Sequence, residues 1–442
     1  MSIGIVGLGP MGRNLAAHLV GEGFDVRVFS YYPAENEAAG LEHLASTDLH
    51  SFVQSLEQPR IVLLMIKAGE PVDRVLTDLE PLLSPRDVVI DGGNSHFRDT
   101  GRRCDALRGS GIHFLGTGIS GGIEGARHGA SIMVGGDPAA VSTVRPVLEA
   151  LAARVGEDRC LVEAGPDGAG HFVKMVHNGI EYGLMQLIAE IWQFADAGLR
   201  MSPARQVAMF RGWRDGPAES FLLDVTAGIL NTSDDRTDGR LIDVISDRAE
   251  HKGTGRWTLE AALELGVAVP TIAAALLQRQ VSASERRMES PPLREVTDDR
   301  DWPPTLESAL VAGMLCSFVQ GFDVIAAATR DYGWETDLSA VAGAWRGGCI
   351  VRAALLDRFA SGASSSWLEH VGPHIDAMRT FVTTAIEAGI PVPAFSASLA
   401  WLDSLQSSRL GTSLVQAQRD YFGAHGYARI DREGLYSTDW RK

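Results

Sequence analysis

Short apolar runs alternate with amphipathic stretches through the first third of the chain. Ile3–Val6, Val26–Phe29, Arg60–Ile66, Val88–Asp91, His113–Gly116 and Ser131–Val134 are dense in branched residues and read as strands. Met11–Val20, Val72–Leu83 and Thr100–Arg108 repeat their apolar positions at helical intervals, and a further helix is expected after Pro138. Strands alternating with helices predict βαβ units and a parallel sheet. The pattern changes at the glycine-rich stretch Gly165–Gly170. His171–Gly198 reads as one long helix, and apolar helical segments follow almost to the end. Ser290–Pro304 carries four prolines and several charges, so a surface loop is expected there. Ala424–Lys442 has no helical stripe but holds Tyr427, Tyr436 and Trp440, a composition suited to docking on another surface.

A glycine triplet gives the first unit a chemistry. Gly7, Gly9 and Gly12 form GxGxxG directly after the apolar run Ile3–Val6 and at the opening of the helical run from Met11. In that context Gly7 permits a tight turn, Gly9 admits a pyrophosphate to the backbone, and Gly12 lets helix pack on strand. The free N–H groups of the helix N-terminus then face the phosphates. The predicted class is α/β plus all-α. A Rossmann-type dinucleotide-binding domain is expected over 1–169, an all-helical substrate and dimerisation domain over 170–423, and a tail over 424–442.

Composition narrows the setting. The chain has 442 residues, 45% of them hydrophobic and 22% charged, which suffices for a sizeable core and excludes a disordered chain. The formal charge of −16 argues against non-specific nucleic-acid binding, so any anion site must gather its cations locally. Cys104, Cys160, Cys316 and Cys349 form no CxxC pair, so reduced thiols and no metal site are expected. The start, MSIGIVGLGPMG, lacks the basic region of a signal peptide, and charge interrupts the longest apolar runs. A soluble cytoplasmic protein, without a membrane span, is the expectation.

The densest chemistry lies in GAGHFVKMVHNGIEYG, Gly168–Gly183. Lys174, His177, Asn178, Glu181 and Tyr182 stand at i, i+3, i+4, i+7 and i+8, hence on one helix face. Such a stripe usually meets solvent. Here it sits in an otherwise apolar run continuing as LMQLIAEIW, so a buried functional face is expected. A Lys acts as a base when burial lowers its pKa, and a Glu donates a proton when its pKa is raised. Lys252, Arg279 and Arg419 add cations in polar surroundings.

GLGPMGRNL, LLMIKAG, VVIDGGNSHF, GTGISGG, GHFVKMVHNGIEYG, AEHKGTGRWT, GIPVPAFSASL and QAQRDYFGAH together resemble decarboxylating 6-phosphogluconate dehydrogenases, in order and over nearly the whole chain. The resemblance implies a homodimer in which each tail enters the partner. It also implies oxidation of 6-phosphogluconate at carbon 3 with NADP, then loss of carbon dioxide to leave ribulose 5-phosphate. By the same likeness Lys174 matches the general base and Glu181 the acid that protonates carbon 1. Asn94, Ser120, Gly121, Gly122, His177 and Asn178 match groups that hold the carboxylate and hydroxyls. Tyr182, Lys252 and Arg279 match the phosphate site, and Arg419 and His425 match groups supplied by the partner. Gly7, Leu8, Gly9, Pro10, Met11, Gly12, Ile66, Lys67, Ala68 and Asn94 match the cofactor cleft. A same-fold dehydrogenase for another sugar-acid phosphate and a catalytically silent paralogue are the alternatives.

Two positions depart from the family pattern. Ile123 stands where Glu is common. Ser30-Tyr31-Tyr32 replaces an Asn-Arg-Thr loop whose Arg binds the 2′-phosphate of NADP. The loop offers neither that cation nor an acid for the ribose. NADP is therefore expected to be accepted and modestly preferred, with NAD possible. Glu35, the first acid after the loop, would alter this by folding back to read the ribose.

Overall fold

A computed structural model describes residues 1–32, 34–35, 40–250, 253–286, 293–362 and 367–441. The expected strands form one sheet: β1 (Ser2–Val6), β2 (Asp25–Phe29), β3 (Ile61–Leu64), β4 (Val88–Asp91), β5 (His113–Ser120) and β6 (Ser131–Gly135). A seventh strand, Leu161–Gly165, was not expected; its order in the sheet is next to β6, after β2-β1-β3-β4-β5-β6. Both faces are covered. Ile3 and Ile5 pack with Leu15 and Leu19 of α1 (Pro10–Gly21), while Val62 and Leu64 pack with Val72, Leu76 and Leu79. Burial on both faces explains why these strands read as unbroken apolar runs.

The sheet is not wholly parallel, which corrects the expectation. β5 and β6 run antiparallel. Residues 121–130 join them through the short helix Gly122–His128, and a parallel crossover needs about a dozen residues or more. β3 is also shorter than Arg60–Ile66, which leaves Met65–Ala68 as a loop at the carboxyl edge of the sheet.

The second unit is built around one helix, Ala169–Gln193, which continues through a π turn, Phe194–Gly198. It is buried on nearly every side, as expected of a central helix and not of an amphipathic surface one. Glycines bring it onto the sheet. A Cβ at Gly170 would lie 2.3 Å from Gly116 O, 2.5 Å from Met133 O and 2.6 Å from Gly135 N. A Cβ at Gly118 would lie 2.3 Å from Lys174 Cβ. On its other sides the helix meets Thr254–Glu264, whose Thr258 Oγ1 donates to Met175 O at 2.8 Å, and Trp302–Asp331. The buried Glu190 carboxylate accepts from Ala394 N at 2.8 Å and Phe395 N at 3.0 Å. It thereby satisfies open N–H groups at the start of the helix Pro393–Gln406. Burial pushes its pKa up to about 7, although both N–H groups pull the other way.

Two sequence expectations change here. Ser290–Pro304 was expected to be a loop, but Trp302, Pro303 and Pro304 open the helix Trp302–Asp331. Proline suits a first helical turn because its missing N–H would have no intrahelical partner; Ser290, Pro291 and Pro292 lie outside the described residues. The same helix is long and apolar enough on length and composition to cross a membrane, yet most of its apolar window is buried inside the protein.

The tail is ordered by one side chain. Buried Asp420, on the helix Thr412–Gly423, accepts from Gly426 N at 2.9 Å, Thr438 N at 3.0 Å and Trp440 Nε1 at 2.8 Å. These bonds hold its pKa down, at about 2. They fold back a hairpin of Tyr427–Ala428 against Leu435–Tyr436. The apolar side chains of Phe422, Ile430 and Leu435 remain exposed.

Gly170→Ala should destabilise the protein by about 1–3 kcal/mol, because the atoms its methyl meets are backbone and cannot rotate away. Gly212→Ala, where a methyl meets nothing within 4 Å, is the control and should be neutral or mildly stabilising. Urea-unfolding midpoints of the two variants decide it. Equal midpoints would mean that the helix is not clamped to the sheet.

Candidate active site

The expected face of the central helix is assembled, with Lys174, His177 and Tyr182 buried and Asn178 and Glu181 half-buried. Lys174 Nζ donates to Asn178 Oδ1 at 2.8 Å and lies 3.4 Å from His177 Nδ1. His177 Nδ1 is 3.1 Å from the same Asn178 oxygen, and His177 Nε2 is 3.2 Å from Ser120 Oγ at the end of β5. One consistent proton arrangement has Asn178 accepting from both neighbours while Ser120 donates to Nε2. Burial, then the neighbouring Lys174, push the His177 pKa far down, so the ring is neutral. Glu181 Oε2 lies 4.0 Å from His177 Nδ1, one turn further on.

The two groups singled out for proton transfer are shifted in opposite directions. Burial lowers the Lys174 pKa, against the opposing pull of Glu181. Burial raises the Glu181 pKa, against Lys174 and Arg279. Each cost is the desolvation of a charge, and the mutual attraction offsets only part of it. Neutral Lys and protonated Glu, the forms needed for a base and an acid, both become more accessible.

Further residues close around this face. Asn94, in the loop after β4, shares a small cavity with Ser95, Lys174, Asn178 and Trp257. The Tyr182 ring lies under the Arg279 guanidinium, 3.5 Å from its carbon. That ring also packs on Gly255, where a Cβ would meet it at 2.5 Å, so Tyr182 sits beside the start of Thr254–Glu264. Arg279 Nη1 donates to Glu250 O at 3.1 Å. Gly121 packs on Gly348 O with Gly122 open beside it, while the neighbouring Ile123 is exposed. Lys252 lies outside the described residues. Among the described residues Arg419 and His425 pack apart from this cluster: Arg419 bonds Gln416 at 3.0 Å, and the His425 ring faces Phe422.

The glycine loop has the form a dinucleotide requires. Gly7 has φ +95, and a Cβ at Gly12 would lie 2.0 Å from Gly7 O, so both positions exclude a side chain. A Cβ at Gly9 would meet nothing within 4 Å. The N-terminus of α1, from Pro10 through Met11, has no side-chain cap and opens on that space. Ile66, Lys67 and Ala68 lie at the same carboxyl edge, the place where such sheets bind ligands. Beyond β2, Ser30 Oγ and Leu8 N both donate to Glu35 Oε2, at 2.6 and 3.2 Å. Tyr31 donates its hydroxyl to Asp78 Oδ2 at 2.7 Å and lies edge-on to Phe29. Tyr32 is exposed.

The sequence reading missed the supports beneath the cluster. His171 is fully buried, its Nε2 donating to Asp91 O at 3.1 Å and its Nδ1 accepting from Thr100 Oγ1 at 2.7 Å. It ties the central helix to β4 three residues before Lys174, a spacing that could have flagged it. Arg103, also buried, bonds Asp73 at 2.9 and 3.1 Å and Gly69 O at 3.0 Å, and lies 3.6 Å from Asp91. Asp91 in turn accepts from Ser95 Oγ at 2.6 Å and Gly93 N at 3.0 Å, which shapes the loop carrying Asn94.

The chain resembles known proteins over its whole length. The family model described as the NAD binding domain of 6-phosphogluconate dehydrogenase matches residues 2–165, and that of the enzyme's C-terminal domain matches 170–440. An NADP-dependent decarboxylating 6-phosphogluconate dehydrogenase of Bacillus subtilis is 41% identical over 100% of this chain and 99% of its own. An NAD-dependent one from the same organism is 40% identical over 99% of each. Among solved structures, 6-phosphogluconate dehydrogenase of Plasmodium falciparum, described with NADP+ and with its substrate 6-phosphogluconate, matches with a TM-score of 0.93 at 35% identity, covering 100% of both chains.

Burying Lys174 should cost stability at neutral pH. Its pKa is lower in the folded protein than in the unfolded chain, so the cost is full below the folded pKa. It disappears as pH rises past the ordinary Lys value of about 10.4. Lys174→Met should therefore unfold at a higher denaturant concentration than wild type near pH 7, with the gap narrowing towards pH 10. A gap independent of pH would show that Lys174 is not buried as a strained cation.

Proposed function

The chain belongs to the 6-phosphogluconate dehydrogenase family, and we propose that it oxidises and decarboxylates 6-phosphogluconate, giving ribulose 5-phosphate and carbon dioxide, with Lys174 as base and Glu181 as acid. The observation that carries the assignment is the buried face on which a Lys of lowered pKa and a Glu of raised pKa stand two turns apart, with Ser120, His177 and Asn178 beside them. NADP or NAD, when bound, supplies the hydride acceptor. The glycine loop fits such a group, with Gly7, Leu8, Gly9, Pro10, Met11 and Gly12 holding the pyrophosphate and Ile66, Lys67, Ala68 and Asn94 lining the nicotinamide side.

In this reading neutral Lys174 takes the proton of the carbon-3 hydroxyl. The Asn178 oxygen 2.8 Å from Nζ fixes the direction of the amine and stabilises the ammonium that forms. That ammonium then donates to the new ketone oxygen, which draws the electrons released as the carboxylate leaves. Glu181, whose protonated form burial favours, delivers a proton to carbon 1 of the enediol. Ser120, Gly121, Gly122, His177 and Asn94 hold the carboxylate and hydroxyls. The phosphate takes Tyr182, Arg279 and Lys252, with charge-assisted bonds to the two cations.

Arg419 and His425 are proposed to complete this site from a partner subunit in a cytoplasmic homodimer. Supporting this, Arg419 lies on the helix Thr412–Gly423 and His425 in the tail that follows it, and Phe422 of that helix and Ile430 and Leu435 of the tail are exposed. Asp420 preorganises that tail as a unit able to insert whole. The domain division at 169 and at 423 follows from the same reading: sheet, helical body and inserted tail.

Lys174→Met should fold, bind dinucleotide and lose about 10²–10⁴-fold in turnover. Glu181→Gln should also be slow, but with oxidation intact and protonation blocked, so supplying the 3-keto intermediate should leave Glu181→Gln slow and should restore the second half of the reaction only in part for Lys174→Met, which lacks the ammonium's bond to the ketone. Near wild-type turnover of either variant with 6-phosphogluconate, followed by reduced dinucleotide and carbon dioxide together, would remove that residue from the mechanism.

Subunit exchange tests the tail. Arg419→Ala and Lys174→Met chains, each inactive alone, should form hybrid dimers with one of their two sites intact. Absence of such complementation would assign Arg419 to its own subunit.

A further inference from the structure

Cofactor choice is the question that the family leaves open, since its members include both NADP- and NAD-dependent enzymes of nearly equal likeness to this chain. The loop Ser30-Tyr31-Tyr32 is neutral, and by itself it would give only a modest preference for NADP. Glu35 changes that. Its Oε2 accepts from Leu8 N, inside the glycine turn, at 3.2 Å and from Ser30 Oγ, at the end of β2, at 2.6 Å. A carboxylate joined to both the turn and the strand end stands where the adenosine ribose must lie once a pyrophosphate rests on the turn. An acid about 20 residues after the glycine motif binds the ribose 2′-hydroxyl in this fold. Glu35 reaches that place from beyond the strand, through a short helical turn, and not from the strand's last residue.

The surroundings have the same sign. Beside Ser30 and Tyr31 lies a cavity of about 700 Å³ whose lining, among the described residues, includes Glu42, Asp48 and Asp78 and no Lys or Arg. Tyr31 stands where the family's NADP-type loop has its Arg, and its hydroxyl is donated to Asp78. Arg74, on the same helix as Asp78, is held by Glu70 at 2.6 and 3.2 Å. A 2′-phosphate carries about −1.5 to −2 charges at pH 7 and would meet these acids, with Arg74 already paired to Glu70. A ribose diol would instead donate to Glu35.

On the reading of the chain as a dinucleotide-dependent dehydrogenase, we propose that Glu35 is its cofactor-specificity residue: it binds the adenosine ribose hydroxyls of NAD and disfavours the 2′-phosphate of NADP. NAD is then the better-bound cofactor, against the modest NADP preference expected of the neutral loop alone. Glu35→Asp, which retains the charge, should keep most of the discrimination.

Equilibrium binding of NADH and NADPH to the full-length protein, followed by nicotinamide fluorescence without any sugar phosphate, tests this apart from catalysis. Wild type should bind NADH more tightly, and Glu35→Gln should shift the ratio of affinities towards NADPH by about tenfold or more, a change of 1.4 kcal/mol. Glu35→Ala, with its fold checked by circular dichroism, is the second variant and should shift the ratio the same way. Tighter wild-type binding of NADPH, or an unchanged ratio in both variants, would overturn the proposal. Binding of neither dinucleotide would overturn it together with the dehydrogenase reading. A failure to turn over 6-phosphogluconate with the binding shift intact would count against the substrate alone.

Discussion

Everything in this protein rests on how closely one helix lies against the sheet. Gly170 meets the backbone of Gly116, Met133 and Gly135, and Lys174 meets Gly118, at distances that leave no room for a β-carbon. The contact runs the start of the Ala169–Gln193 helix along β5, from Gly116 beside Gly170 past Gly118 beside Lys174 towards the carboxyl end at Ser120. It also takes Lys174 out of water. A charged amine would not be placed there for stability, since removing an ammonium from solvent costs several kcal/mol unless it is well compensated. Asn178, Glu181 and the neutral His177 are what accompany it. The geometry that packs the two units together therefore also tunes the group proposed as base.

The supports are arranged so that this position is over-determined. His171 bonds β4 through Asp91 O, and Thr258 bonds the helix backbone at Met175 O from the far side. Arg103 draws Asp73, Gly69 and Asp91 together beneath the loop that carries Asn94. Of these groups His171 also lines the small cavity beside Lys174 and Asn94. Together they fix the distance between the glycine loop on one side and the Lys174 face on the other, which is the distance over which a sugar acid and a dinucleotide would have to meet. Proximity of this kind is the component of catalysis that a scaffold supplies.

The tail follows a different logic. It has its own organiser in Asp420 and exposes the apolar side chains of Phe422, Ile430 and Leu435. A preorganised segment loses less conformational entropy when it is buried against a second surface than a free chain would. This is how a polar, aromatic stretch without helical periodicity could serve the site proposed to be completed between subunits.

Local patterning by itself determined the strands β1 to β6, the glycine turn and the face that carries Lys174, His177, Asn178, Glu181 and Tyr182. Those features depend on residues near one another in the chain, through side-chain periodicity or a fixed glycine spacing. The same patterning extended a loop through Trp302–Pro304, because proline signals an irregular segment and a helical first turn alike. It could not see that β6 opposes β5, which the length of a connection decides, or that Leu161–Gly165 completes the sheet. The apolar run around the Lys174 face already argued for its burial, but only the tertiary structure decided what covers it, the β5 backbone at Gly118, because that partner lies far away in the chain. The same holds for Glu35: its carboxylate acquires a role only when the chain beyond β2 folds back and brings it within hydrogen-bonding distance of Leu8 N, a partner 27 residues away in sequence.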